Sequence, residues 1–155
     1  MNPHIRRLYA DYKHVGNVFN NHPYITLIET RGEPPERYIF EFRIDGLIED
    51  KEGNVSITNT HRAEVYLPVD YPRRPPFCRM LTPVFHPNID PQKICIGDHW
   101  SADQALVQLI IRIGEMIAFQ SFNTRSPLNA NAAVWVEKNI GRLPLDKADL
   151  MGTLS

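Results

Sequence analysis

The chain has 155 residues, a mass of 17.9 kDa and a formal net charge of −1. This length fits one domain, which would bury about 70% of the surface that its unfolded chain exposes. With 43% hydrophobic and 23% charged residues, the composition excludes a disordered chain, and the nearly neutral charge disfavours binding to nucleic acid or to an anionic membrane. Because the sequence has no apolar run long enough to span a bilayer and no secretory signal, it predicts a single cytoplasmic domain over residues 1–155.

The N-terminal segment predicts a helix over about residues 3–19. Asn2 fits the N-cap position, and Pro3 fits the first helical position, where the amide that proline lacks would have no partner. Apolar side chains recur at helical spacing at Ile5, Leu8, Tyr9 and Tyr12. The opposite, solvated side is expected to carry Arg6, Arg7, Asp11 and Lys13.

The next segment, residues 24–67, predicts antiparallel strands. A short apolar strand over residues 24–29 is ended by Glu33-Pro34-Pro35. Apolar and polar residues then alternate from Arg37 onward, and a second alternating run has apolar residues at positions 55, 57, 63, 65 and 67. The two runs are expected to pair as an antiparallel hairpin with one solvated face, joined by a polar turn over residues 49–54.

Seven prolines then fall between residues 68 and 91, interleaved with large apolar residues. Because those apolar side chains require burial, this segment is expected to cross the core as extended, irregular chain. It contains one short predicted strand over residues 77–80, in which Cys78 is expected to be buried.

The last third of the chain predicts helices. Ser101 and Gln104 fit a capping box at the start of a largely buried helix over about residues 102–119. A further helix is expected to start at Ser126-Pro127-Leu128-Asn129 and to end near Asn139. The order of elements predicts an α+β domain with helices packed on one face of a small sheet.

Three short motifs lie in the middle of the chain. They are Tyr71-Pro72-Arg73-Arg74-Pro75-Pro76, then His86-Pro87-Asn88, then Ile94-Cys95-Ile96 ahead of Trp100-Ser101. In this order, after a helix and an antiparallel meander, they resemble the ubiquitin-conjugating enzyme family, and the resemblance extends from about residue 5 to residue 139. It implies that family's fold: an N-terminal helix, a four-stranded antiparallel meander, a central helix after the active-site loop, and a C-terminal helix.

The resemblance also implies an acyltransferase that works through a thioester. In the family, a cysteine accepts the C-terminal carboxyl of a ubiquitin-like modifier protein from an activating enzyme and passes it to an amine of a protein substrate. Cys95 matches that cysteine. A thiolate is nucleophilic and a thioester is reactive toward amines, so we expect no cofactor, no metal and no strong dedicated base.

The other residues of the central motifs take their expected roles from the same resemblance. Asn88 matches the asparagine that donates a hydrogen bond to the tetrahedral oxyanion or holds the active-site loop. His86 and Pro87 match residues that shape the turn, and Trp100 is expected to be structural near the site.

Two residues are candidates for handling the incoming amine, and three for contacting a partner. Ser126 stands where the family has a gating residue, which suits positioning better than base catalysis, and Asp98 is an alternative acid. The first helix docks the activating enzyme in the family, so Arg6, Arg7 and Lys13 are candidate partner-binding residues.

The sequence also departs from the family's pattern. Six residues separate Asn88 from Cys95, about one fewer than the resemblance leads us to expect. Arg73-Arg74 replaces an aromatic residue before the double proline, and Ala102 stands where proline is usual. Since those two places form the docking surface for RING-type ligases in eukaryotic members of the family, we do not expect RING recognition. The departures favour a divergent member of bacterial origin.

Several alternatives remain open from the residues alone. Cys95 could be a buried structural cysteine, or it could pair with His86 or His99 as a cysteine hydrolase. Cys78, His86, Cys95 and His99 match no common zinc-site spacing, so no metal is predicted. A catalytically inert scaffold of the same fold, binding a ubiquitin-like protein, is the other alternative.

Overall fold

A computed structural model describes residues 1–90, 92–96 and 100–152. The helices within these ranges are α1 (Pro3–Phe19), α2 (Leu106–Ile117) and α3 (Ala130–Lys138), followed by a short 3-10 helix at Ile140–Arg142. The strands are β1 (Ile25–Gly32), β2 (Pro35–Phe42), β3 (Gly46–Glu49), β4 (Val55–Thr58), β5 (His61–Tyr66), β6 (Phe77–Met80), β7 (Ile89–Asp90) and β8 (Lys93–Ile94). In this described part of the chain, no helix is long and apolar enough to cross a membrane.

The main sheet has four antiparallel strands in the order β1-β2-β5-β6. Tyr38, Phe40 and Phe42 alternate along β2 and are fully buried, because they face a core shared with α1 and α2. Eight of the nine buried residues of α2 are large and apolar, with Gly114 the ninth, so this helix forms the centre of the domain. The predicted α+β fold, with a four-stranded antiparallel sheet, an N-terminal helix, a central helix and a C-terminal helix, is confirmed.

Helix α1 has the predicted bounds, and Asn2 caps it by accepting a hydrogen bond from the Ile5 N–H at 2.8 Å. The predicted orientation of the helix is wrong in part. Tyr9 and Tyr12 are exposed, whereas Asp11 is buried on the same face as Leu8, Val15 and Phe19. A carboxylate is tolerated there because it is fully paired: the Tyr71 hydroxyl donates to it at 2.5 Å and the Arg7 Nε at 3.0 Å.

The second alternating run is two strands rather than one, so the predicted hairpin is wrong in detail. β4 pairs with the unpredicted β3 in a separate two-stranded sheet, while β5 pairs with β2. Ile57 is accordingly 55% exposed. The turn between β3 and β4 lies where the polar residues predicted it, and the Asp50 side chain accepts hydrogen bonds from the Glu52 and Asn54 N–H groups.

The capping box is wrong, because α2 begins at Leu106 with Ala105 as its N-cap. The preceding segment is held in another conformation by Arg7, whose guanidinium donates to the Ala102 carbonyl at 2.6 Å and to the Gln104 carbonyl at 2.8 Å. The Ser101 hydroxyl donates to Asp103 instead of capping a helix.

Helix α3 likewise begins later than predicted, at Ala130. Its N-cap is Asn129, whose side chain accepts a hydrogen bond from the Ala132 N–H at 3.0 Å. The segment from Ser126 to Asn129 is not helical, and its Leu128 and Asn129 N–H groups both donate to the Pro87 carbonyl.

Candidate active site

Cys95 follows directly after β8 and is partly exposed, between the buried side chains of Ile94 and Ile96. Its backbone N–H donates to the Asn88 carbonyl at 3.0 Å, which fixes the start of the loop. The side chain lines a groove of about 620 Å³ together with Asn88 and Ser126. A short β-hairpin, β7–β8, therefore presents the thiol at the surface beside two of the predicted site residues.

The other cysteine has a very different environment. Cys78 is only 1% exposed, in the middle of β6, where it pairs with Val65 of β5. Burial raises the pKa of the Cys78 thiol, because a thiolate there would lose its hydration. Of the two cysteines, Cys95 is the one that is partly exposed to solvent.

The triplet His86-Pro87-Asn88 supports the segment between α2 and α3, which forms the groove wall. The His86 ring packs against Phe119 with centroids 4.6 Å apart. The Pro87 carbonyl accepts the two hydrogen bonds from Leu128 and Asn129, and the Asn88 side-chain oxygen accepts one from the Asn123 N–H at 2.9 Å. One tripeptide therefore positions the whole segment from the end of α2 to the start of α3.

His86 is buried and is neutral at physiological pH. Its Nδ1 accepts a hydrogen bond from the Asn88 N–H at 3.0 Å. Burial lowers the pKa of His86 to about 3, an effect that the Met116 carbonyl only partly opposes. A histidine this difficult to protonate is a poor general base, and it is not among the residues that line the groove with Cys95.

The groove wall begins with an unusual helix end. Phe119 follows the C-cap of α2 with a φ of 59°, a left-handed conformation that normally favours glycine. The Gln120 N–H donates to the Glu115 carbonyl and the Phe119 N–H to the Met116 carbonyl, which is the Schellman pattern. The backbone strain is offset by burial of the ring, which is 2% exposed and contacts His86 and Phe122.

A series of hydrogen bonds connects Asn88, beside Cys95, to Ser126 through Asn123. Asn123, whose N–H is held by Asn88, uses its own side-chain oxygen to accept from the Arg125 N–H at 3.2 Å and the Ser126 N–H at 3.4 Å. Ser126 is exposed and lies on the same groove as Cys95. Tertiary structure therefore brings Cys95, Asn88 and Ser126 together.

The family model for ubiquitin-conjugating enzymes matches residues 29–144, which include most of the sheet, the β7–β8 hairpin with Cys95 and the segment between α2 and α3. The chain belongs to the ubiquitin-conjugating enzyme family. The resemblance inferred from the three motifs is thereby confirmed.

Individual relatives agree with this assignment. The chain is 36% identical over 83 residues to ubiquitin-conjugating enzyme E2 13 of Saccharomyces cerevisiae, covering 50% of this chain and 53% of that one. It is 30% identical over 116 residues to ubiquitin-conjugating enzyme E2 T of Bos taurus, covering 60% and 58%. The matches thus span little more than half the length of these curated relatives.

A solved structure shares the fold across nearly the whole chain. A ubiquitin conjugating enzyme from Trypanosoma cruzi superimposes with a TM-score of 0.61, covering 93% of this chain and 94% of its own. The sequence identity is 18%, so this likeness bears on the fold alone.

The remaining predicted site residues lie elsewhere or outside the described residues. Trp100 donates from its Nε1 to the Pro72 carbonyl at 2.8 Å and packs against Tyr71, so it fastens the segment after the loop to the proline-rich chain. Asp98 and His99 fall outside the described residues. Within the described ranges, no cluster of three or more His, Cys, Asp and Glu could hold a metal ion.

The three candidate partner-binding residues on α1 differ from one another. Arg6 and Lys13 are exposed, which leaves them accessible to a partner. The expectation that Arg7 belongs to the solvated side is wrong, because its guanidinium is engaged with Asp11, Tyr71 and the 102–104 segment.

No site role was predicted from the sequence for Arg112, Asn123 and Arg125, which line the groove, or for Phe119, which packs against His86 and Phe122. Asparagine is a common turn residue, so Asn123 carried a weak local signal, but its bond to Asn88 spans 35 positions of sequence. Phe119 carried no signal, because a phenylalanine in the left-handed region contradicts local preference.

Proposed function

We propose that this protein is a ubiquitin-like-protein conjugating enzyme that uses Cys95 as its nucleophile. The Cys95 sulfur attacks the activating enzyme's thioester at its acyl carbon, forms a new S–C bond, and releases that enzyme's cysteine as the leaving thiolate. An amine of the protein substrate then attacks the same carbon, forms an amide and regenerates the Cys95 thiol. No net oxidation or reduction occurs, so neither a cofactor nor a metal is required.

The observation that carries this proposal is the position of Cys95 within a family domain. The Cys95 residue is partly exposed directly after the β7–β8 hairpin and lines a groove large enough for an extended peptide, whereas the second cysteine is buried in the sheet. A cysteine that serves only in packing would be expected in the core, where Cys78 lies, and not beside an open groove. The retained cysteine also favours catalysis over an inert scaffold.

Asn88 and Ser126 are proposed to assist the chemistry at Cys95. Asn88 lines the groove beside Cys95 and its side-chain oxygen is already used by Asn123, which leaves the amide nitrogen as the group to donate to an oxyanion. Ser126 is proposed to position the incoming amine rather than to deprotonate it, since a serine hydroxyl is a weak base. Asp98 stays an alternative candidate for handling the incoming amine.

The test is to incubate the protein with ATP, an activating enzyme and ubiquitin as the first probe, and to separate the products without reductant. The expected product is a band of increased mass that reductant removes. Cys95→Ala should abolish the band and Cys78→Ala should keep it, because only Cys95 is accessible. Failure to form any adduct with a panel of modifier and activating-enzyme pairs would favour the binding scaffold.

The two roles of Asn88 can be separated by one substitution. Asn88→Asp keeps an oxygen that accepts from the Asn123 N–H but removes the amide donor. If Asn88 donates to the oxyanion, transfer to lysine should fall by about a hundredfold or more in this variant. If Asn88 only holds the loop, Asn88→Asp should retain most activity while Asn88→Ala loses it. Asn123→Asp is the matched control, because it adds the same negative charge to the same groove.

The cysteine-hydrolase alternative receives no support from His86. Its ring is completely buried, its pKa is lowered to about 3, and its Nδ1 is occupied by the Asn88 N–H. Among the described residues, no histidine lines the groove with Cys95, which suits a transferase whose acceptor supplies the nucleophile. His99, the other candidate partner of Cys95, lies outside the described residues.

A further inference from the structure

The charged side chains that line the groove beside Cys95, among the described residues, are both arginines. Arg112 of α2 and Arg125 of the 123–126 turn both line it, and among the described lining residues there is no aspartate or glutamate. Glu115, on the same helix as Arg112, interacts with Arg112 and with Asp149, so it offsets part of the Arg112 charge. Arg125 is the more exposed of the two cations.

Both guanidiniums have hydrogen-bonding capacity left over. In the described part of the chain, the Arg112 Nη1 is buried without a hydrogen-bond partner, and no salt bridge there involves Arg125. The Arg112 Nη1 is enclosed by protein, so Arg125 is the guanidinium that is more accessible to an incoming chain. The backbone of Arg125 is fixed, because its N–H donates a hydrogen bond to the Asn123 side-chain oxygen.

The proposed function determines what occupies the groove. An acyl group on the Cys95 sulfur must lie beside the thiol, and extended chain advances by about 3.3 Å per residue, so several residues before the carbonyl fit along a groove of this size. A planar guanidinium fork binds a carboxylate in a bidentate manner and repels another cation.

We propose that Arg112 and Arg125 make this groove selective for a modifier whose C-terminal segment carries a carboxylate side chain within a few residues of its terminal carbonyl. The inference rests on the proposed function, because it assigns the acyl donor of the Cys95 thioester. A tail with arginine or lysine at that position is disfavoured. This selectivity acts when the acyl group is loaded, before any acceptor arrives.

The test loads Cys95 without an activating enzyme. The probes are three synthetic peptide thioesters that end in two glycines and differ only at the third residue from the thioester, which is Glu, Gln or Arg. Thiol exchange transfers each peptide to Cys95 and releases the small mercaptan, and the mass of the intact full-length protein measures the rate. Cys95→Ala shows whether the adduct is on the proposed sulfur.

We expect the Glu peptide to load about twofold to fivefold faster than the Gln peptide, and the Arg peptide to be slower by a similar factor. Added salt should reduce these differences, since exposed charges are screened. Arg125→Glu should reverse the order. Arg73→Glu is the matched control, because Arg73 is an exposed arginine that does not line the groove, and it should leave the order unchanged.

The outcomes separate the inference from the proposed function. Equal loading of the three peptides, or faster loading of the Arg peptide, would overturn the selectivity while leaving Cys95 a reactive nucleophile. If Arg73→Glu changed the order as much as Arg125→Glu, the net charge of the protein and not the groove would set the preference. If no peptide reached Cys95, the proposed nucleophile itself would be wrong.

Discussion

The two cysteines stand in two regions that are built in different ways. Cys78 lies in β6, where strand alternation and pairing with β5 bury it completely. Cys95 lies at the end of a two-residue strand, on a loop supported by Asn88. The sheet region is specified by local pattern, whereas the groove region depends on contacts between segments distant in sequence. The reactive position is the one that local pattern specifies least.

The largest expected difference between the two regions is in thiol reactivity. When the native protein is treated with iodoacetamide, Cys95 should be alkylated at least about a thousandfold faster than Cys78, because Cys78 reacts only when the sheet opens. Peptide mass analysis over time measures both rates. In strong denaturant the two should react alike, and similar rates in the native protein would remove the distinction between the regions.

The groove wall can be tested through Phe119, where packing and backbone strain oppose each other. Phe119→Ala should destabilise the protein by about 3–5 kcal/mol, because it empties the contact with His86 and Phe122. Phe119→Gly should be less destabilising than alanine by about 0.5–1 kcal/mol, since glycine accepts a φ of 59° without strain.

Urea unfolding measures both changes at Phe119. The control is Val134, exposed within α3, where the order should be the usual one and glycine should cost about 1 kcal/mol more than alanine. The same order at both positions would show that the left-handed conformation of Phe119 is not maintained in solution.

Acid should weaken the groove support through His86. Its folded-state pKa of about 3 lies below the ordinary value near 6.5, so the unfolded chain binds the proton more readily. The stability that neutral His86 contributes is complete above about pH 6.5 and is lost as the pH falls toward 3, at a slope approaching about 1.4 kcal/mol per pH unit.

Urea unfolding between about pH 7 and pH 5 should therefore show a shallower decline in His86→Gln than in the natural sequence. His61, whose pKa burial also lowers, is present in both proteins and cancels in the comparison. Parallel declines would mean that His86 is not held neutral by its surroundings.

The smallest expected effect concerns Asn123. Asn123→Ala removes the acceptor for the Arg125 and Ser126 N–H groups, so transfer to free lysine should slow by about twofold to fivefold, as befits modest hydrogen bonds, with loading of Cys95 unchanged. Asn123→Asp restores the acceptor and should restore most of the rate. If Asn123→Ala slowed only the loading of Cys95, the 123–126 turn would have no role in positioning the acceptor amine.

Much of the first half of the domain was predictable from local chemistry. Asn2 and Pro3 define the start of α1, alternation defines the buried face of β2, and the polar turn after Glu49 is where it was expected. These features depend on neighbours within a few residues, and such interactions are visible in any short window of sequence.

The sequence by itself also determined the family, because three motifs in a fixed order bring Cys95, the His86-Pro87-Asn88 triplet and Trp100 into one chain. Only tertiary structure decided that Asp11 is buried, that α2 starts at Leu106, and that Asn123 connects Asn88 to Ser126. Those outcomes depend on partners 35 to 97 positions apart, such as Arg7 with the Ala102 and Gln104 carbonyls. Hydrogen bonds and packing between distant segments override local preference when they satisfy groups that burial would otherwise leave unpaired.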